Sequence, residues 1–176
     1  MSESTRKHKA DAPSRVRFAV LTCSTSRFQQ RQKSEPVVDV SGDLIEAKLG
    51  EAGHAVALRE LIPDDVSIIQ KAMREALTRE DLDAVIISGG TGATKTDVTI
   101  ETVSPFLEKT LPGFGEIFRR LSFDETGSGA VLSRALAGVA KGKVFFCIPG
   151  SPDAVRLCLE RLILPEAGHI VKHARE

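Results

Sequence analysis

The sequence predicts an α/β fold, a three-layer α/β/α sandwich built on a mostly parallel sheet. Three observations carry that reading. Short runs such as "VRFAVLT", "DAVIIS" and "KVFFCIP" are apolar throughout, as strands covered on both faces require. Between them lie amphipathic segments with apolar residues at helical spacing. The length, 176 residues, suits one domain with a substantial core and is short for two.

Taken in order, residues 1–14 are polar, charged and small, and read as a disordered tail. The domain is expected over 15–170, with a C-terminal tail over 171–176. "VRFAVLT" is the first strand. "RFQQRQKSEPVVD" is polar and reads as a mobile loop. "SGDLIEAKLGEAG" spaces Ile45, Leu49 and Ala52 as a helix and stops at Gly53. "HAVALREL" is a second strand. "PDDVSIIQKAMREAL" places Val66, Ile69, Met73 and Leu77 on one helical face, with aspartates where they can cap free N–H groups. "DAVIIS" is the third strand. "TIETVSPFLEK" and "PGFGEIFRRLSF" suggest helices, broken or started by Pro105 and Pro112. "KVFFCIP" is the fourth strand. "SPDAVRLCLERLIL" is a helix with Ser151 as N-cap, Pro152 as first residue and Pro165 as terminator.

Composition narrows the function classes. A formal net charge of zero argues against a general nucleic-acid or membrane-surface partner. No apolar stretch approaches the roughly 18 residues of a spanning helix, and the N-terminus lacks the apolar core of a secretory signal. The cysteines, Cys23, Cys147 and Cys158, are odd in number and lack CxxC spacing, so they read as reduced thiols of a cytoplasmic protein.

Parallel α/β sheets bind ligands beyond the carboxyl ends of their strands. The loops "TCSTSR", "IPDD", "SGGTG" and "PGSPD" each follow a predicted strand, so all four fall on one edge. The glycines of Gly89-Gly90-Thr91-Gly92 can turn several N–H groups inward as an anion nest, with the Thr91 hydroxyl as a further donor. By itself such a loop is more often an unliganded turn, and it matches neither the GxxxxGK[ST] nor the GxGxxG spacing. Asp97 and Asp64 shift the balance. Each alone would be a helix cap. Two carboxylates facing a glycine nest suit Mg²⁺ shared with substrate phosphates, hence phosphoryl or nucleotidyl transfer. Gly150 and Ser151 make a good N-cap that could also meet an anion. Ser133 and Arg134 of "LSRA" could join them or lie on the surface. His169 and His173 have metal-ligand spacing, but no glutamate follows His169 as in HExxH, and both fall near the expected tail, so no metal role is read there.

In this order, "DVSGDLI", "LIPDD", "SGGTG…DVT", "LPGFGEIFR", "LSRA" and "PGSPDAVRL" closely resemble the molybdopterin adenylyltransferase family of molybdenum-cofactor biosynthesis, the MogA/MoaB type also found as a domain of gephyrin. The match runs from about Val16 to Gly168. The resemblance implies a cytoplasmic trimer, or a hexamer of two trimers. It implies that the terminal phosphate of molybdopterin attacks the α-phosphate of MgATP, giving adenylylated molybdopterin and pyrophosphate. It puts the catalytic pair on Asp64 and Asp97, holding Mg²⁺ and steering phosphates. The loop Gly89, Gly90, Thr91 and Gly92 would hold pterin or nucleotide phosphate. Ser24, Asp39, Ser41, Gly42, Ser133, Gly150, Ser151 and Pro152 would line the rest of the pocket. Other enzymes of the cofactor pathway are implied partners. Two positions depart from the family pattern: Thr25 stands where many members carry aspartate, and Thr96 where many carry a basic residue, with Lys95 one place earlier. The alternatives are a non-catalytic molybdopterin carrier and, last, an interaction scaffold.

Overall fold

The computed structural model describes residues 11–176. Its six-stranded sheet comprises β1 (Arg17–Cys23), β2 (Ala55–Ile62), β3 (Ala84–Ser88), β4 (Lys109–Thr110), β5 (Leu136–Ala140) and β6 (Lys143–Ile148), in the spatial order β2-β1-β3-β6-β5-β4. β2, β1, β3 and β6 run parallel, and β5 and β4 add an antiparallel edge. The helices are α1 (Thr25–Gln32), α2 (Val40–Glu51), α3 (Val66–Thr78), α4 (Thr99–Val103), α5 (Pro112–Thr126), α6 (Pro152–Cys158) and α7 (Leu164–Arg175).

Side chains that alternate along a strand point to opposite faces, so each central strand feeds two cores. Phe18, Val20, Ile86, Phe146 and Ile148 pack beneath α2, α5, α6 and α7, through Ile45, Leu49, Phe118, Val155 and Val171. Ala19, Leu21, Val85, Ile87 and Phe145 pack on the other face against Ile69, Met73 and Ala76 of α3 and Val103 of α4. The predicted three-layer sandwich is borne out.

Helix ends follow local chemistry. Asp39 caps α2 by accepting from the Gly42 N–H at 3.1 Å, and the chain leaves α2 through Gly53, whose φ of +80° suits glycine. Asp65 caps α3, accepting from Ser67 N and Ile68 N.

Several expectations need correction. The segment expected as a mobile loop contains α1, a helix with no buried residue, hence no apolar stripe to betray it. "TIETVSPFLEK" opens as a helix broken ahead of Pro105, as expected, with α4 ending at Val103 and Pro105 in a 3-10 turn, but the chain then enters β4, which was not expected. β5 was not expected. Its run "LAGVA" is short and small, and it reaches β6 through a two-residue turn, Lys141 and Gly142, with φ of +47° and +72°. Pro165 does not end the last helix. A π turn at Leu159–Ile163 precedes it, and the helical residues Ile163 and Leu164 carry the chain on through Pro165 into α7, the shifted ladder of the π turn accommodating a residue with no N–H. The expected tail at 171–176 is therefore helical to Arg175, with Val171 buried, and Arg175 hydrogen-bonds Asp83 at the start of β3. The expected N-terminal tail is also shorter among the described residues. Pro13 packs so closely on α7 that a Cβ at Gly168 would lie 2.3 Å from its carbonyl oxygen. Residues 1–10 lie outside the described part.

Candidate active site

From β1 the chain moves to β2 on one side, then returns to β3 on the other. Such a reversal opens a crevice at the carboxyl ends of β1 and β3, the usual ligand position in open α/β sheets. β1 is followed by Ser24 and Thr25, the N-cap and first residue of α1; the loop after β3 carries the three glycines. β2 and β6 are parallel to these strands, so Asp64 and Gly150-Ser151 follow at the same edge. β5 is antiparallel to β6 with Leu136 opposite Cys147, so its beginning delivers Ser133 and Arg134 there too.

The glycine loop is held by its own chain. Gly89 N–H donates to Ile148 O at 3.0 Å, Thr99 Oγ1 to Gly89 O at 2.9 Å and Thr99 N–H to Gly90 O at 2.9 Å. Arg134 Nε donates to Thr91 O at 2.9 Å, and its guanidinium forks onto Glu101 at 2.6 and 3.1 Å. That arginine depresses the Glu101 carboxyl, so the pair stays ionised and braces the loop. Glycine is required at two points. Gly89 has φ +102°, and a Cβ there would sit 2.3 Å from Cys23 O; Gly90 has φ +62°, and a Cβ there would sit 2.7 Å from Asp64 Oδ1. A Cβ at Gly92 would likewise lie 2.7 Å from Asp97 Oδ2. Each predicted carboxylate therefore packs against a bare stretch of the loop.

The adjacent aspartates of "IPDD" divide the work. Asp65 is the cap of α3, which leaves Asp64 facing the glycines. Asp64 Oδ2 accepts from both Thr25 N and Thr25 Oγ1 at 2.9 Å, while Asp64 N donates to Thr25 Oγ1 at 3.0 Å. Thr25, a departure from the family pattern, is thus the clamp that orients Asp64. Asp97 is not a helix cap, since α4 begins beyond it with Val98 at the N-cap position. Asp97 Oδ2 instead takes the Thr94 N–H at 2.8 Å and the Thr94 hydroxyl at 2.6 Å. Those Thr94 bonds, opposed by partial burial and aided by the Gly92 N–H and Arg134, hold its carboxyl below the usual range. Cys23 lies beneath the loop, and burial pushes its thiol up to about 12, so it stays a neutral core residue.

The remaining predicted residues divide into loop and support. Ser24 N–H donates to Ile62 O at 2.9 Å and ties the β1 loop to the end of β2. Asp39 is spent on structure: besides capping α2 it accepts from Thr22 Oγ1 at 2.8 Å and Arg59 at 3.3 Å. A Cβ at Gly42 would collide with that carboxylate. Ser41 is buried and donates to Gly150 O at 2.6 Å. Ser151 caps α6 and Pro152 begins it. Thr91 is buried, with its carbonyl rather than its hydroxyl engaged on Arg134. Ser133 N–H is turned back onto Ala130 O. Thr22, Thr94, Thr99 and Glu101 were missed. Thr99 stood within the quoted "DVT", and a hydroxyl after a glycine loop was its signal; the others carry none.

No His, Cys, Asp and Glu cluster of three or more among the described residues could cage a metal ion. Two carboxylates beside a glycine loop fit Mg²⁺, which is commonly held by one or two carboxylates plus substrate oxygens.

Residues 19–169 match the family described as "Probable molybdopterin binding domain", MoCF_biosynth. The chain belongs to this molybdopterin-binding family. Among its members, molybdenum cofactor biosynthesis protein B of Bacillus anthracis is 47% identical over 168 residues, 95% of each chain. The molybdopterin adenylyltransferase of Pyrococcus furiosus is 40% identical, covering 97% of this chain and 98% of its own. A crystal structure of a molybdenum cofactor biosynthesis protein B superposes with TM-score 0.84 at 46% identity, covering 93% of this chain and 98% of that one. The MoCF_biosynth match takes in the glycine loop, both facing aspartates and their threonine partners.

Proposed function

We propose that this protein is a molybdopterin adenylyltransferase of molybdenum-cofactor biosynthesis, with ATP and molybdopterin as substrates. The observation that carries the reading is the pairing of each carboxylate with a glycine of one loop at the switch point, Asp64 on Gly90 and Asp97 on Gly92. The names of near-full-length relatives support it.

In this reaction a terminal phosphate oxygen of molybdopterin forms a bond to the α-phosphorus of ATP. The bond to the β-phosphate oxygen breaks, and pyrophosphate leaves. Little covalent chemistry is asked of the protein, so its work is positioning and electrostatics. The loop from Gly89 to Gly92 accepts phosphate close to its backbone. Asp64 and Asp97, each oriented by a threonine, would hold Mg²⁺. Held by these carboxylates, Mg²⁺ would supply charge neutralisation at the phosphates.

The reading includes the cytoplasm as compartment, consistent with three free, buried cysteines. It includes a trimer or hexamer, which would cover the exposed Ile117, Phe123, Val131 and Leu132 around α5 and the turn after it. Other enzymes of the cofactor pathway are partners in it, with no nucleic acid or membrane.

The test is pyrophosphate release from purified protein with molybdopterin and MgATP. Turnover should need Mg²⁺ and vanish in Asp64→Ala and Asp97→Ala while both variants remain folded. Stoichiometric pterin binding without pyrophosphate would overturn the enzyme reading in favour of a carrier.

A further inference from the structure

α7 carries a second constellation, at the edge of the sheet opposite the glycine loop. His169 and His173 are one turn apart, and their Nε2 atoms approach to 3.0 Å. The Nδ1 atom of each ring meets a different carboxylate: Glu166 lies 3.1 Å from His169, and Glu176 lies 3.0 Å from His173. A carboxylate at Nδ1 favours the ring proton there and turns Nε2 toward acceptor or ligand duty. The two Nε2 atoms share one hydrogen bond whose direction depends on the tautomer, so a metal ion held by both rings would take the place of its proton. The carboxylate–histidine arrangement is the one that orients imidazoles around metal ions.

The separation also speaks to the ion. Two nitrogens 3.0 Å apart, each about 2.0–2.1 Å from a shared ion, subtend roughly 91–97° there. That is close to the right angle between neighbouring positions of tetragonal Cu²⁺ or octahedral Ni²⁺, and below the tetrahedral angle of Zn²⁺. The His173 ring is half exposed, so solvent can complete the coordination sphere.

We propose that His169 and His173 form a two-imidazole site for a divalent first-row transition metal of tetragonal or octahedral geometry, Cu²⁺ or Ni²⁺, with Glu166 and Glu176 orienting the ligands. The site is independent of the adenylyl-transfer reading. It uses neutral nitrogen donors, whereas Asp64 and Asp97 offer hard oxygens suited to Mg²⁺.

The test uses the full chain, stripped with chelator and titrated with Cu²⁺ under electron paramagnetic resonance, with millimolar Mg²⁺ present to occupy oxygen sites. The expected result is one tight ion per chain with hyperfine structure from two imidazole nitrogens. His169→Gln and His173→Gln should each remove one nitrogen from that pattern and weaken binding at least about tenfold. Glu176→Gln should keep both nitrogens and weaken binding by about 10–100-fold, as loss of an orienting partner does. Ni²⁺ should bind more weakly than Cu²⁺ in the same variants' order. Absence of saturable binding, an oxygen-only spectrum, or wild-type affinity in the double His169→Gln/His173→Gln variant would overturn the assignment. Circular dichroism of each variant separates loss of ligand from loss of fold.

Discussion

Thr25→Val is the most informative single change at the candidate active site. Valine keeps the shape of threonine and the backbone N–H that reaches Asp64 Oδ2 at 2.9 Å. It removes Oγ1, which donates to the same oxygen at 2.9 Å and accepts from Asp64 N at 3.0 Å. A hydrogen bond contributes about 0.5–1.5 kcal/mol net, and this exposed pair belongs in the lower half of that range, so the two together are worth about 1–2 kcal/mol. If that energy fixes Asp64 against Gly90, its loss raises the barrier by a similar amount, a fall of about 5–30-fold in kcat for pyrophosphate release. The assay is pyrophosphate release at saturating molybdopterin and ATP, repeated across Mg²⁺ concentrations, beside a thermal melt. The Mg²⁺ requirement should rise, Tm should change little, and Thr25→Ser, which restores the hydroxyl, should recover most of the rate. A Thr25→Val enzyme with wild-type kcat and Mg²⁺ dependence would refute the clamp. So would a Thr25→Ser enzyme as impaired as the valine variant.

Three further outcomes follow from the same geometry. Asp65→Ala removes the α3 cap and should lower Tm while leaving pyrophosphate release near wild type, the reverse of Asp64→Ala. Gly89→Ala combines a φ of +102° with a Cβ 2.3 Å from the Cys23 carbonyl and should cost about 2–5 kcal/mol in urea unfolding. Asp83→Asn should flatten the acid limb of stability: burial pushes the Asp83 carboxyl up, but hydrogen bonds from the Arg17 guanidinium and backbone more than offset this and hold it low. A depressed carboxyl stabilises the fold above its unfolded value of about 3.9, and that contribution is lost as pH falls through the lower folded value. Acid titration of the variant by circular dichroism should therefore show a shallower decline below about pH 4.

The sheet and its site edge were legible because the central strands are apolar on both faces and the loops after them carry unusual chemistry. Gly89 to Gly92, Asp64 and Asp97 stood out by residue type alone, and the fold then placed them on one crevice. The unread parts had weak local signals. α1 is polar on every side and leaves no periodic trace. β5 uses alanine and glycine, and its turn begins with Lys141 rather than the usual asparagine or aspartate. Pro165 follows a rule that the π turn ahead of it sets aside. Within the site, glycine and aspartate announce themselves by conformation and charge. Thr22 and Thr25 meet Asp39 and Asp64, partners 17 and 39 residues away that nothing local marks, and Thr94 meets Asp97 only because the loop turns back on itself over three residues.

The last two helices, joined by the π turn, run from Ser151 at the crevice to Arg175 on Asp83 at the far edge of the sheet. That span makes the end of α7 a convenient handle. A tag, dye or surface linker joined after Glu176 would sit across the sheet from the glycine loop and leave the crevice open. It would crowd His173 instead, so a linker placed there would report on the histidine pair without touching the glycine loop.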